Sequence, residues 1–203
     1  MVAEEIELKL AIAPSDQRRF LCHPLLREAR LKTDQMLDNT YFDTPELALR
    51  KRGIALRVRK QGRLRLQTVK LAGKASGALS IRSEWETPYR GQFDFSPIDV
   101  TEVRQWLEQP SILAQTGPLF QTRFRRVTWH IPVATGGEIL VALDRGFILA
   151  GGRKDAISEV ELELSGSTDV DALHQLANRL SAKITLTPAT LSKAQRGYDL
   201  LKK

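Results

Sequence analysis

EEIELKL, residues 4–10, places Glu5, Glu7 and Lys9 on one parity and Ile6, Leu8 and Leu10 on the other. Alternate side chains of a strand point to opposite faces, so the stretch predicts a strand with one charged and one apolar face. The apolar face needs a covering layer, and the charged face needs a watery place of its own. An open sheet with its polar side in solvent would satisfy one such strand. The pattern recurs too often for that. In SEVELEL, residues 158–164, Glu159, Glu161 and Glu163 alternate with Val160, Leu162 and Leu164, and in ALRVR, residues 55–59, Arg57 and Arg59 alternate with Leu56 and Val58. IRSEWE, residues 81–86, sets Arg82, Glu84 and Glu86 against Ile81 and Trp85, while Asp144 shares its parity with Ala142 against Ile139, Val141 and Leu143. Solvated faces usually mix signs with Ser, Thr, Gln and Lys, whereas several of these strands are nearly pure acid or pure base.

Alternation, β-branched content and flanking turn residues predict strands over residues 4–12, 33–43, 53–60, 63–71, 79–89, 120–133, 138–149 and 157–165. Gly62 and the pair Gly136 and Gly137 read as tight hairpin turns, so several neighbours are expected to be antiparallel. Helices are expected after Pro14 and Ser15, at 45–51, at 99–107, at 169–181 and from about Leu191 onward. Strands in that number with few helices suggest closure into a barrel, because closure removes exposed edges. Helices outside would then cover the apolar faces and leave the charged faces lining the interior.

A chain of 203 residues with no internal repeat suits one domain, and 42% apolar with 27% charged residues is the composition of a soluble globular protein. No apolar run is long enough for a bilayer, the N-terminal residues are acidic, and Cys22 has no partner for an internal disulfide. The cytoplasm is the expected compartment. A net charge of +7 invites a nucleic-acid reading, yet the basic stretch at 49–65 interleaves its arginines with aliphatic residues at strand spacing, without zinc-finger or basic-zipper patterning. No membrane partner is expected, and nucleic acid is disfavoured.

A dry interior cannot hold this many ionised groups, because an unpaired buried charge costs several kcal/mol. The interior must be wet, or hold a charged ligand with metal ions. Grouped carboxylates such as Glu159, Glu161 and Glu163 repel one another unless a cation sits among them, and hard divalent ions take oxygen ligands. Arg57 and Arg59 call for an anion in the same way, with phosphate the match to the guanidinium fork.

The motifs in order resemble the CYTH superfamily, the triphosphate tunnel metalloenzymes. The likeness begins with Glu5, Glu7 and Lys9 as E-x-E-x-K and continues through YFDTP at 41–45, LRVR with Arg57 and Arg59, and TVK with Lys70. RSEWE with Arg82 and Glu84, FRRVTW with Arg126, LDRG with Asp144, EVELEL with Glu159, Glu161 and Glu163, and LSKAQRGY with Lys193 complete it. The branch it resembles most is the bacterial inorganic triphosphatases, in which a helical CHAD domain often follows; residues 1–203 are expected to be a single tunnel domain with no room for one.

The resemblance implies an α+β fold, an eight-stranded antiparallel closed barrel with a charged interior and helices outside. It implies hydrolysis of inorganic triphosphate to pyrophosphate and phosphate, by in-line attack of water, with Mg²⁺ or Mn²⁺. Lys9, Arg57, Arg59, Lys70, Arg82, Arg126 and Lys193 would grip phosphates. Glu5, Glu7, Asp144, Glu159, Glu161 and Glu163 would serve the metal, with Glu84 orienting its neighbours, and Glu5, Glu7, Lys9, Glu161 and Lys193 would carry the catalysis. Thiamine triphosphatase, class IV adenylyl cyclase and a non-catalytic polyphosphate- or RNA-binding barrel remain as other readings. Two positions depart from the pattern. Phe124 stands where many members carry a lysine two residues before Arg126, and Lys70 shares its parity with Leu64 and Leu66.

The remaining candidates read as structural. His23, His130 and His174 show no metal-ligand spacing, Cys22 beside Phe20 and Leu21 suits packing, and Trp85 and Trp129 have outward parity. LAGKASGAL, residues 71–79, lacks phosphate-loop spacing and reads as a hairpin loop at the tunnel mouth. Arg196 reads equally as a helix-end charge near Asp199 or as part of the site. Glu86 is likewise open.

Overall fold

The computed structural model describes residues 3–30 and 32–202. Its strands are β1 (Ala3–Ile12), β2 (Lys32–Asp43), β3 (Ile54–Gln61), β4 (Leu64–Leu71), β5 (Lys74–Ser76), β6 (Leu79–Pro88), β7 (Gly117–Pro132), β8 (Glu138–Ala150), β9 (Arg153–Ser165) and β10 (Leu186–Pro188). The helices are α1 (Gln17–Leu21), α2 (Ala48–Lys51), α3 (Thr101–Leu107), α4 (Pro110–Gln115), α5 (Val170–Ser181) and α6 (Lys193–Lys202). Every strand pairing is antiparallel, in the order β1–β9–β8–β7–β2–β3–β4–β6, and β1 also pairs with β6. That last pairing closes the ring as the expected eight-stranded barrel. Short β10 and β5 extend the sheet alongside β1 and β6.

Turn chemistry fixes the β3–β4 hairpin. Gln61 pairs with Leu64, leaving Gly62 at φ 59° at the first turn position, a conformation that a side chain would strain. Gly73 marks the break between β4 and β5: a Cβ there would strike the Ile81 carbonyl and come within 2.8 Å of Arg82 Cα. Within the 71–79 segment β5 pairs with the start of β6, so the expected hairpin loop carries a short strand of its own.

Two clusters cover the apolar outer faces. Leu8, Leu10, Val127, Val141, Val160 and Leu162 pack beneath the stripe Leu173, Leu176, Ala177 and Leu180 of α5, with Phe20 of α1 beside them. Each buried leucine of that stripe contributes about 2 kcal/mol by transfer from water. Leu56, Val69 and Trp85 are covered by Leu49 of α2, Phe95, Ile98 and Leu107 of α3. Trp85 and Trp129 are structural, as their parity indicates.

Helices lie outside the barrel as expected, and a third cluster forms where α6 also packs onto inward-facing side chains. Leu37, Tyr41, Phe120, Phe124, Ile148 and Ile157 share parity with inward residues of their strands, and Tyr198 and Leu200 of α6 pack on them. Gly197 allows this approach, since a Cβ would enter the Phe120 ring. The interior is therefore apolar in the sector where α6 packs on Tyr41, Phe120, Phe124, Ile148 and Ile157, and charged elsewhere, Arg126 of β7 and Asp144 of β8 included. Filling that sector avoids burying charges that no ligand would meet.

Cys22 is exposed, contrary to its packing expectation, because its helix turns Phe20 inward instead. His23 beside it is buried, at 4% exposure, and its Nδ1 accepts from Leu25 N at 3.3 Å while Nε2 has no partner among the described residues. Burial, then Lys183, pushes its pKa below the ordinary 6.5. The neutral form is favoured in the fold, so this contribution is complete above 6.5 and is lost as pH falls through the lower folded value. Wild-type Tm is expected to drop more than that of His23→Asn between about pH 7 and about pH 5. Parallel melting curves for the two proteins would contradict it.

Candidate active site

Register puts the charged residues of neighbouring strands on one wall. Glu161 lies opposite Lys9, Glu163 opposite Glu7, Asp144 opposite Arg126 and Glu5 opposite Arg82. These side chains, with Arg57, Arg59, Lys70, Glu84, Glu86 and Lys193, line a cavity of about 860 Å³, except Glu159 and Asp144, which lie deeper against Lys193. All the sequence-predicted site residues thus face one interior.

The acids and bases neutralise one another. Lys70 Nζ lies 2.7 Å from both Glu5 Oε1 and Glu84 Oε2. Arg82 Nε donates to Glu5 Oε2 at 2.6 Å, its Nη2 reaches Glu7 at 3.4 Å, and Lys9 lies 3.2 Å from Glu7. The parity of Lys70 is inward after all; Leu64, which shares it, is 61% exposed at the far end of β4. Arg126 donates through Nε and Nη2 to the two oxygens of Asp144 at 2.7 and 2.6 Å, and also to Glu161. Lys193 Nζ sits among Asp144, Glu159 and Glu161, 2.6 Å from the first and 2.9 Å from the last.

Two places are left short of counter-charge. Arg57 and Arg59 reach Glu84 and Glu86 only at 3.8 Å, and among the described residues Arg57 Nε has no hydrogen-bond partner. Burial, then Arg57 and Arg126, pushes Arg59 down to about 10. Asn39, 1% exposed, holds it in place by accepting from Arg59 Nε at 3.1 Å and donating to Thr122 Oγ1 at 2.9 Å. The opposite deficit is acidic. Glu163 faces Glu7 across the ladder, and among the described residues no cationic group lies within salt-bridge reach of it. Burial, then Glu5, pushes Glu163 up to about 7, and burial also raises Glu159.

One trio of carboxylates converges among the described residues. Asp144, Glu159 and Glu161 bring oxygens within 4.8 Å of one another, as ligands of a hard cation do. Glu159 Oε1 is buried without hydrogen-bond geometry to any donor, although Lys193 Nζ touches it. The donor set therefore fits a divalent cation. Glu5, Glu7 and Glu163 face the same cavity but do not converge as that trio does, so the six expected metal candidates fall into two groups.

A family model described as the CYTH domain matches residues 3–198. The chain belongs to the CYTH domain family. An inorganic triphosphatase from Haemophilus influenzae is 32% identical over 203 residues, covering 98% of this chain and 56% of its own length. The chain therefore spans about half of that relative. Among solved structures, a Hippeastrum adenylyl cyclase candidate reported to have a dominant triphosphatase activity superposes with a TM-score of 0.69 at 20% identity, covering 97% of this chain and 96% of its own. A candidate adenylate cyclase from Bacillus halodurans gives 0.59 at 20% identity, over 95% and 96%. At those identities the superpositions show the fold, which this CYTH domain shares.

The role of Asp43 went unread in the sequence, and the structure decides the placements left open for Arg196 and Phe124. Asp43 of YFDTP is 3% exposed and accepts from Thr44 N, Leu49 N and Arg50 N at 2.7, 2.9 and 3.0 Å, and from Tyr198 Oη at 2.8 Å. An Asp-Thr-Pro before a helix is a capping signal, and that would have found the first half of this role. Arg196 does not pair with Asp199: it donates to Asp155 at 2.9 and 2.6 Å and reaches Glu159 at 3.4 Å, while Asp199 pairs with Arg50. Phe124, 1% exposed, belongs to the apolar sector, and its ring lies 5.6 Å from Arg126 and 5.0 Å from Lys193 Nζ. Arg123 and Arg125 point outward, to Asp38 and Asp34. Glu86 accepts from Thr68 Oγ1 at 3.1 Å on the inner wall.

Proposed function

We propose that this CYTH domain, read as one tunnel domain over residues 1–203, hydrolyses inorganic triphosphate to pyrophosphate and phosphate with bound Mg²⁺ or Mn²⁺. The observation that carries the reading is the pairing, in one cavity, of under-compensated arginines at 57 and 59 with a converged carboxylate trio at 144, 159 and 161. Arg57, Arg59, Lys70, Arg82 and Arg126 bind and orient the phosphates, with Lys9 and Lys193 beside them. Glu5 and Glu84 hold Lys70 and Arg82 at the inner wall until the anion arrives. Asp144, Glu159 and Glu161, with Glu5, Glu7 and Glu163, are the carboxylates that would hold the cation. When bound, the cation neutralises phosphate oxygens and polarises the attacking water. No side-chain nucleophile is needed, and the thiol of Cys22 is outside on the surface.

The cavity favours an inorganic chain over a nucleotide or thiamine ester. Its aromatic residues Tyr41, Phe124 and Tyr198 are buried in the apolar sector, whereas the exposed lining residues Ala72, Gly73, Ala75, Gly77 and Thr190 offer no ring for stacking. Phosphate release from tripolyphosphate should exceed that from thiamine triphosphate and ATP under the same metal. Faster release from either organic substrate would replace the substrate assignment. Arg57→Ala should raise KM for tripolyphosphate about tenfold with a smaller change in kcat, because it removes a charge-assisted contact made in ground and transition states alike. An unchanged KM in the folded variant would remove Arg57 from the grip. Among the described residues no helix is long and apolar enough to cross a membrane, and an unpaired cysteine suits the reducing cytoplasm.

A further inference from the structure

The converged trio already contains a cation. Lys193 Nζ, on a side chain 7% exposed, lies 2.6 Å from Asp144 Oδ2 and 2.9 Å from Glu161 Oε1, and it touches Glu159 Oε1. Arg126 pairs with Asp144 and Glu161, and Arg196 reaches Glu159 at 3.4 Å. Three carboxylates are thus matched by three cationic groups. A divalent ion entering this balanced group would meet the ammonium at ligand distance, where like charges repel strongly.

The ammonium can leave without dismantling the fold. Lys193 is the first residue of α6, preceded by residues 189–192 in neither helix nor strand. The helix is anchored elsewhere, by Tyr198 Oη donating to Asp43 and by Tyr198 and Leu200 in the apolar sector. The lysine stem is a flexible chain of four carbons, and it also lines the cavity into which the phosphates are placed.

Building on the triphosphatase reading, we propose that Lys193 is a tethered counter-ion that fills the metal's place in the free protein and is drawn off by the triphosphate. The divalent cation then binds the trio tightly only with the anion present. By reciprocity the metal strengthens triphosphate binding by the same factor. The device keeps the ionised acids charge-compensated between turnovers and couples the arrival of metal to the arrival of substrate.

Mn²⁺ titration of the full chain without triphosphate, followed by calorimetry and by the electron paramagnetic resonance of free Mn²⁺, tests this directly. Lys193→Met should bind Mn²⁺ about tenfold or more tightly than wild type, because the competing charge is gone. Lys60→Met, which removes an exposed lysine far along β3, should match wild type. Adding Glu161→Gln to Lys193→Met should abolish the gain, which places the ion at the trio. Should the methionine variant fail to fold, Lys193→Gln keeps donors to the carboxylates and should show the same direction. Mn²⁺ affinity in the folded variants equal to or weaker than wild type overturns the proposal. Tripolyphosphate turnover by the same wild-type preparation separates the two readings: turnover without the affinity gain sinks the counter-ion alone. The gain without turnover supports the counter-ion exchange and sinks the substrate.

Discussion

Glu161→Gln is expected to lower kcat for tripolyphosphate about a hundredfold or more while leaving the protein folded. Glu161 is one of three converged carboxylates, lies opposite Lys9 in the β1–β9 register, and holds both Arg126 and Lys193. Burial works against its charge, yet Lys193, then Arg126 and Lys9, hold its carboxyl well below the usual range, so it is ionised at neutral pH. The amide keeps the shape and can still accept from one donor, but it removes a negative ligand for the cation. It also leaves two buried cations sharing Asp144. The loss should therefore fall on kcat and on metal affinity, with KM changing less. Kinetics within about threefold of wild type, in a variant with wild-type circular dichroism, would mean that the trio is not where the reaction is assisted.

Asp43→Ala should be the most damaging change outside the charged cavity. One carboxylate accepts the Thr44 backbone N–H, two backbone N–H groups of α2 and the phenol of α6. Removing it leaves three buried donors and one partly buried donor without an acceptor, at roughly 1 kcal/mol or more for each. A total of about 4 kcal/mol corresponds to a Tm drop of about 10 °C in a chain of this size. Tyr198→Phe removes only the last of these bonds and keeps the ring against Phe120, so it should cost about 1 kcal/mol. Melting curves for the two variants give the comparison. Equal effects would mean that the α2 backbone bonds contribute nothing, and an Asp43→Ala melt within about 2 °C of wild type would refute the role.

The barrel was legible because its strands carry alternation of period two with charge on one side. β1, β3, β6 and β9 follow that rule, and their boundaries lie close to the expected ones. β5 and β10 pair over only three residues each, too short for alternation to register. α4 escaped because Pro110–Gln115 has no apolar stripe and buries no residue. The placement of α6 was beyond reach for a different reason. Its periodicity marks an apolar face but not which layer receives it, and only the inward parity of Phe120, Phe124 and Ile148 reveals that the receiving layer is the inside of the barrel.

The charged wall was legible from parity and resemblance together, whereas its pairing was not. Which acid meets which base depends on strand register: Glu5 opposite Arg82 and Asp144 opposite Arg126 follow from shifts that no local pattern states. Lys70 shows the limit of parity as a rule. Leu64 and Leu66 share its side of β4 but lie toward the other end, so an apolar parity mate does not exclude a charged interior. The division of six acids into a converged trio and a looser group depends on side-chain conformation. The seating of Lys193 inside the trio does so as well.

On the proposed reading, this cavity joins a divalent cation to a triphosphate. That reading is tested most directly by the initial rate of phosphate release from tripolyphosphate in Mg²⁺, in Mn²⁺ and in excess chelator. The expected result is release with at least one metal, loss in chelator and recovery when metal is restored. No release under any condition, or release indifferent to chelator, would contradict it.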